Sequence, residues 1–590
     1  MMAKKRGKSE AGMEVSPPEH RPSERRPEGF APWASAAMYW AAQAPLRWSV
    51  LGAVAPIGWI HLAAVDRPLR GRDYLNLWLS GCALWLATLQ GIRLAFWPLY
   101  AGWIVLSLYL AVYVPVFVLA SRTMRRWKIP LLGAVPIAWM GGDWIRSYAF
   151  TGYSANMLVH AWAEHPMWIQ LADQIGAMGV SGLMAMVATG IYLTGRAMVS
   201  GTWKKAILPA TTSMIVLLVV AGYGRFRLQQ ADRLYAARDP LLRSVLIQEN
   251  TPTMFEADLD RLQRAWTAYL NQTRTASRYA PVDLVVWPES TFSAGSAWLA
   301  SAEIPERLPE ELQQAKVDRQ TLGEWVSRSQ QDFEFKARLV LAAARGEDAY
   351  DLAPEEPPNW PRLVVGADAM EIDAQGVRRY NAALLIDPSA RVVGRYNKMH
   401  LVMFGEYIPL EPILGWLGRM FGFSGIDAGR QPECFDIGTV HIAPNICFES
   451  TMPRLVRRQI AELKRRGHAA DCLINLTNDS WFRGSSILDH HLACTIVTAV
   501  ENRRPTLVAA NTGLSAEIDG CGRVVQRLDR FQSGAILAQP RPDARSGLVQ
   551  QVGYPLSVLC GVATILSLLQ AAVVRFGSTR LSPWLGRSQR

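Results

Sequence analysis

Val440-His-Ile-Ala-Pro-Asn-Ile-Cys-Phe-Glu449 is a mostly apolar run that ends on a thiol and, two residues later, a carboxylate. Residues 440–446 read as a buried strand, so Cys447 stands at a strand end. Two other stretches close in the same way. Residues 282–287 lead into Pro288 and Glu289, and Arg395-Tyr-Asn-Lys398 finishes on an ammonium. A carboxylate, an ammonium and a thiol, each at the end of a strand-like run, are the parts needed for thiol attack on a carbonyl. Runs 242–247, 362–367, 471–476 and 506–510 read as further strands, whereas 258–278, 453–466 and 490–502 carry helical spacing. Hairpins are predicted around Asp387-Pro-Ser-Ala390 and Asp519-Gly-Cys-Gly522. The pattern predicts a mixed α/β sandwich whose site lies beyond the carboxyl ends of the strands, where Glu289, Cys447, Asn478 and Asn511 fall.

Outward from this polar region the chain becomes a membrane protein. Its 590 residues exceed one domain, and a 50% hydrophobic content with 22 Trp is high for a soluble protein. The charge-free runs 96–120, 174–195, 206–224 and 547–574 reach or approach the span of a bilayer core. Shorter candidates are 30–46, 50–65, 74–92 and 129–148. In the last of these, Asp143 and Arg146 stand three apart on one helical face and can pair. The sum is about eight spans, seven before the polar region and one after it. Basic residues stay on the cytoplasmic side of short loops. The groups at Lys4 to Arg6, Arg67 to Arg72, Arg122 to Lys128, Arg196 to Lys205 and Arg575 to Arg590 all fall on one face of such a bundle, which exports the polar region.

The expected organisation is therefore a disordered basic tail over 1–29, a membrane domain over 30–224, an exported catalytic domain over 225–545, a closing transmembrane helix over 546–574 and a basic cytoplasmic tail over 575–590. No cleavable signal peptide is expected, because a long polar stretch delays the first apolar run. The net charge of +12 is then largely topology, and nothing in it asks for nucleic acid. Seven cysteines without CxxC spacing predict neither a metal site nor a disulfide framework.

Taken singly, Glu289 would be a loop carboxylate, Lys398 a solvated charge and Cys447 a small buried hydrophobe. Taken together they resemble the Glu-Lys-Cys triad of the nitrilase superfamily. Tyr396-Asn-Lys-Met-His-Leu-Val-Met-Phe-Gly-Glu-Tyr-Ile-Pro409, Asn478-Asp-Ser-Trp-Phe482 and Asn511-Thr-Gly-Leu-Ser515 are similar to one membrane branch of it, the apolipoprotein N-acyltransferases. The resemblance runs from the first span to the last. It implies a nitrilase-like αββα sandwich beside the helical bundle, in a bacterial inner membrane. It also implies catalytic roles for Glu289, Lys398 and Cys447, and a supporting role for Glu406 close to Lys398. The implied reaction takes an acyl chain from a phospholipid donor to a diacylglyceryl-apolipoprotein acceptor at the bilayer surface, through a thioester on Cys447, with no metal or diffusible cofactor.

The chemistry of the residues fits that expectation. Glu289 in an enclosed cleft can take the thiol proton, and Lys398 with the backbone N–H of Phe448 can hold the oxyanion. Glu449 is expected to orient backbone or acceptor, an internal salt bridge being the plainer reading of both Glu406 and Glu449. His490 and His491, adjacent on a helix, point to different faces and read as capping or packing residues. Met403, Phe448 and Thr498 depart from the family's usual residues. The charged stretch 298–361 reads as an extra lid or a solvated insertion, the insertion being favoured. Two alternatives share the same residues: hydrolysis of an amide or nitrile, with water as acceptor, and a scaffold whose catalytic domain is disused.

Overall fold

Apolar residues at helical spacing carry the first part of the chain into a series of helices: Ala31–Ala42, Ile57–Ala64, Gly71–Thr88, Leu99–Ala111, Tyr113–Arg126, Leu131–Tyr148, Ala172–Val199 and Trp203–Ala236. The computed structural model describes residues 29–581 except 253–257, 279–280, 301–303, 348–360, 410–411, 414 and 417–424. The expected tails at 1–28 and 582–590 lie outside the described residues, as do parts of the 298–361 stretch. Among the described residues, Leu99–Arg126, Ala172–Val199, Trp203–Ala236 and Pro555–Arg575 are long and apolar enough to cross a bilayer. They coincide with the four long charge-free runs. The shorter candidates also fold as helices, but Ala31–Ala42 has 12 residues, which at 1.5 Å each reach about 18 Å of a core roughly 30 Å thick. Four of the eight expected spans therefore stand on length and composition among the described residues.

Two boundaries also differ from expectation. The helix Trp203–Ala236 runs unbroken past residue 224, so no loop separates a membrane part from an exported part there. The run 547–574 breaks at Gly553, whose φ of 82° ends a short helix Leu548–Val552 before Pro555–Leu581 begins. Inside the bundle, Arg146 Nη2 donates to Asp143 Oδ1 at 2.9 Å, and the pair is buried as the spacing implied.

The polar region forms β1 (Ser244–Gln248), β2 (Leu284–Trp287), β3 (Trp298–Leu299), β4 (Arg362–Asp373), β5 (Gly376–Ile386), β6 (Val392–Asn397), β7 (Phe435–Ile437), β8 (Val440–Ile446), β9 (Cys472–Thr477), β10 (Thr506–Ala510), β11 (Ala516–Ile518), β12 (Val524–Arg527) and β13 (Gly534–Ala538). One sheet runs β13-β1-β2-β4-β5-β6 with β3 beside β4, and the other β12-β11-β10-β9-β8-β7. Within them β1, β2 and β4 are parallel neighbours, as are β8, β9 and β10. Both predicted hairpins are present, β5 with β6 and β11 with β12. Leu246, Val286, Val364, Ile442, Ile474 and Leu507 fill the space between the sheets. The helix Pro453–Arg465, opened by Pro at its first turn, covers the second sheet with Val456, Ile460 and Leu463.

The outer face of the first sheet corrects the reading of the charged stretch. Arg319–Arg345 is a 27-residue helix capped by Asp318, which accepts from the Thr321 N–H at 2.7 Å. Its Phe333, Ala337, Val340, Leu341 and Ala344 join Tyr269 of the helix Leu259–Ser277 over the first sheet. Their spacing is that of one helical face. This part of the stretch is an outer layer of the sandwich, and the layers run α-β-β-α.

The two halves share one core. Leu488, Leu492, Ile496 and Val500 of the helix Ile487–Asn502 pack into the same cluster as Leu158, Trp162, Ile169 and Ala177 of the helical region. A polar seam adjoins it, where Arg503 donates from Nη2 to Asp173 Oδ2 at 2.7 Å.

Candidate active site

Three strands end on one cleft. β2 delivers Glu289, β6 delivers Lys398 and β8 delivers Cys447. The chain turns sharply at the thiol, since Cys447 has φ 53° and opens the short 3-10 segment Cys447–Thr451. A non-glycine residue held in the left-handed region needs support from its surroundings. That support is dense. Asn475 Nδ2 donates to the Cys447 carbonyl at 3.0 Å, His491 Nε2 stands 3.0 Å from the same oxygen, and His491 also meets Ser450 Oγ at 2.8 Å. Thr498 Oγ1 donates to the Ser450 carbonyl at 3.1 Å, one turn further on.

Glu289 is 7% exposed. Its Oε1 accepts from Asn381 Nδ2 at 2.6 Å and from Lys398 Nζ at 3.4 Å, and its Oε2 accepts from the Asn478 N–H at 2.8 Å. Gly366 on β4 makes room for it, because a Cβ there would lie 2.4 Å from Glu289 Cα and from the Pro288 carbonyl oxygen. Lys398 donates its shorter bond, 2.7 Å, to Glu406 Oε1, and Glu406 Oε2 is fixed by the Val402 N–H at 2.9 Å. The resemblance had implied this neighbourhood for Glu406. Burial opposes the Lys398 charge, but Glu289 and Glu406 outweigh it, so its pKa is raised and it stays an ammonium.

Glu449 is not in a salt bridge among the described residues. Its Oε1 accepts from the Met399 and His400 N–H groups at 2.8 and 3.0 Å, and its Oε2 from the Ile446 N–H and Tyr396 O–H at 2.8 Å each. It ties the loop after Lys398 to the end of β8. Phe448 is half-buried, its ring stacked against His400 with centroids 6.5 Å apart.

The Cys447 thiol is pushed well above the usual range, first by burial and then by the negative charge of Glu289, while Lys398 pulls the other way. It therefore rests protonated at neutral pH and needs a base at the moment of attack. Glu289 supplies a carboxylate in the same cleft. Residues that the sequence reading did not single out are Asn381, Asn475 and Asp479, and His491, read as a capping or packing residue, lies against the Cys447 carbonyl. Burial opposes protonation of His491, but Asp479, with Oδ1 3.3 Å from its Nδ1, raises its pKa. Asn511, read as a strand-end residue, accepts from Tyr269 O–H at 2.8 Å and donates to Asn478 Oδ1 at 3.0 Å, one step behind Glu289.

Residues 245–545 match the carbon-nitrogen hydrolase family, and residues 35–190 match the apolipoprotein N-acyltransferase N-terminal domain. The chain is 33% identical over 519 residues to the apolipoprotein N-acyltransferase of Rhodopirellula baltica, with 83% of this chain and 88% of that one aligned. The chain belongs to the apolipoprotein N-acyltransferase family. It is also 26% identical to the family member of Geobacter metallireducens, over 87% of this chain and 91% of that one. Among solved structures it is similar to an amidase from Nesterenkonia sp., at 17% identity, a TM-score of 0.32 and coverage of 50% of this chain and 89% of that chain. Membership makes the chain an enzyme and leaves a disused scaffold without support.

Proposed function

We propose that this enzyme moves an acyl chain from a glycerophospholipid to the N-terminal amine of an S-diacylglyceryl-cysteine lipoprotein, with Cys447 as the acyl carrier. The observation that carries the reading is the cleft itself. The thiol at the end of β8 lies with the Glu289 carboxylate and the Lys398 ammonium at the ends of β2 and β6, in a chain whose helical region matches the N-terminal domain of apolipoprotein N-acyltransferases.

Glu289 takes the proton of Cys447 as sulfur bonds to the ester carbonyl carbon. The carbonyl oxygen becomes an oxyanion facing Lys398 Nζ and the Phe448 N–H. When the intermediate collapses, the C–O bond breaks, the lysophospholipid alkoxide takes the proton back from Glu289, and a thioester remains. In the second half the acceptor amine gives a proton to Glu289 and attacks the thioester, and the thiolate leaves and is reprotonated. Glu406 holds Lys398, Glu449 holds the Phe448 turn, and no resident metal or cofactor takes part.

The exposed apolar side chains Val402, Phe404, Ile413 and Trp416 follow Lys398 and suit contact with lipid better than with a soluble amide. On this reading the short helices complete eight spans across a bacterial inner membrane, the region from about 225 to 545 faces outward, and the termini stay inside. A reporter fused near Arg530 should behave as exported and one after Lys128 as cytoplasmic.

The reaction is tested with purified protein in mixed micelles, a phospholipid labelled in its acyl chains and a synthetic S-diacylglyceryl-cysteinyl peptide. Label in a stable amide on the peptide, with lysophospholipid formed in equal amount, is the expected result. Label released mainly as free fatty acid in the presence of the peptide would replace transfer by hydrolysis.

A further inference from the structure

At the far end of β8 from the nucleophile, four side chains converge. Cys434, Asp436 and His441 belong to the β7–β8 hairpin and its approach, and His468 to the turn after the helix Pro453–Arg465. One donor atom from each lies within 4.8 Å of all the others. Asp436 Oδ1 stands 2.7 Å from His441 Nδ1 and 3.6 Å from Cys434 Sγ, and Asp436 Oδ2 stands 3.7 Å from His468 Nδ1. The two imidazoles meet edge to face with centroids 5.8 Å apart.

We propose that Cys434, Asp436, His441 and His468 form a site for a structural divalent metal ion, with zinc the best fit. A thiolate, a carboxylate and two imidazoles are a donor set that zinc accepts in tetrahedral geometry, and four protein ligands make a closed structural site. With bonds of about 2.0–2.3 Å, tetrahedral donors sit about 3.3–3.6 Å apart. The present separations bracket that value, and Asp436 and His468, half-exposed at 50% and 49%, have room to adjust.

Ion pairing of Asp436 with the two imidazoles, together with a hydrogen bond from the Cys434 thiol to Asp436 Oδ1, is the plainer description. What it leaves unexplained is the convergence of all four donor atoms, each within 4.8 Å of the others, which is the spacing that one shared ion would use. The backbone around the cluster is also fixed in advance, since the His441 N–H donates to Asp471 Oδ2 at 2.9 Å and the Asp471 N–H donates to the His441 carbonyl at 2.7 Å.

The site has a structural use. β7 is the edge strand of its sheet, and a metal here would pin that edge to the turn after the helix Pro453–Arg465. His441 lies about 20 Å along the strand from Cys447 at roughly 3.3 Å per residue. The ion would thus stiffen the far ends of the strand and helix that flank the nucleophile and would take no part in the reaction.

The test uses the full chain in detergent, carrying Cys447→Ala so that the active-site thiol cannot report, and a tag without histidine. After treatment with a chelator and dialysis, Zn2+ or Co2+ is added back. The expected result is one equivalent of Zn2+ per chain and a thiolate-to-cobalt charge-transfer band that Zn2+ displaces. The band should vanish in Cys434→Ser, and Zn2+ affinity should fall by about 100-fold or more in His468→Ala, since even outer-shell partners of a metal matter by up to that factor. His468→Ala changes a half-exposed turn residue, and its metal-free melting should match that of its parent. Failure of the parent to retain Zn2+, a cobalt spectrum without a thiolate band, or equal Zn2+ binding by a His441→Ala, His468→Ala double variant would each overturn the proposal.

Discussion

Lys398 and Arg503 are both cations buried against carboxylates, at 1% and 0% exposure, yet in the proposed mechanism only one of them follows a moving charge. Arg503 donates from Nε and Nη2 to Asp173 Oδ2 at 2.9 and 2.7 Å, from Nη1 to Gln170 Oε1 at 2.6 Å and to the Gly520 carbonyl at 3.2 Å, and from Nη2 to the Gln170 carbonyl at 3.1 Å. Its planar fork is filled from both halves of the molecule. Lys398 has one short bond to Glu406 and one long bond to Glu289 among the described residues. Its third N–H and its stretched bond can turn toward an oxyanion. A buried cation is therefore no sign of catalysis in itself. The sign is donor capacity left over beside a nucleophile, and Arg503 reads instead as the rivet joining the helix Ile487–Asn502 to the start of Ala172–Val199.

Replacing the groups one at a time should separate the two clusters. Cys447→Ala should abolish both acyl-enzyme and transfer, since no other thiol shares the cleft. Lys398→Ala should lower thioester formation by about 100-fold or more, the loss of a charged oxyanion donor being worth about 3 kcal/mol in a water-excluded site. A thermal scan would check that the variant remains folded, and a rate within tenfold of wild type would make Lys398 a second rivet.

Glu289→Gln should lower thioester formation by about 100-fold at neutral pH, because the amide keeps its shape but accepts no proton. Thiolate must then come from ionisation of Cys447 itself, whose pKa is raised by burial. Below that raised value the thiolate fraction grows about tenfold per pH unit, so the residual rate should keep climbing beyond the ordinary thiol range near 8.5. A plateau at or below about pH 8.5 would mean that the thiol is not desolvated. The smallest effect on chemistry belongs to the other cluster. Arg503→Ala removes two of the donors to buried Asp173, which keeps its bonds from Arg227 and Tyr223, and leaves the Gln170 and Gly520 acceptors without their donor; it should destabilise the protein by about 1–3 kcal/mol. Acylation per folded molecule, measured by active-site titration against a thermal scan, should stay within about threefold. A larger loss would give the seam a part in catalysis.

The central strands, the helices Leu259–Ser277, Pro453–Arg465 and Ile487–Asn502 and both hairpins were legible because periodicity and turn residues report them directly. The cleft was legible because strand ends in such sheets converge whatever the rest of the chain does. What failed has physical causes. In residues 319–345 the charged positions dominate any average, yet Phe333, Ala337, Val340, Leu341 and Ala344 form a continuous apolar face. Asn381 sits inside the strand β5, and only the strand pairing that sets Asn381 opposite Asp368 and brings Lys398 beside it gives it a partner in Glu289. His490 and His491 do point to different faces, but which one meets the Cys447 carbonyl depends on how Ile487–Asn502 docks between the two halves. The metal cluster has no local spacing to read, because His468 reaches Cys434 through the whole length of a helix. The run 30–46 was counted as a candidate span but folds as the 12-residue helix Ala31–Ala42, because composition does not show where a helix stops.

The central claim is that Cys447 carries the acyl chain. The most direct measurement incubates the wild-type enzyme with acyl-labelled phospholipid and no acceptor, digests it and locates the label by mass spectrometry. The account predicts one acyl group on the peptide containing Cys447, removed by hydroxylamine and discharged when an S-diacylglyceryl-cysteinyl peptide is added. Label on any other residue, or an adduct that hydroxylamine leaves intact, would contradict it.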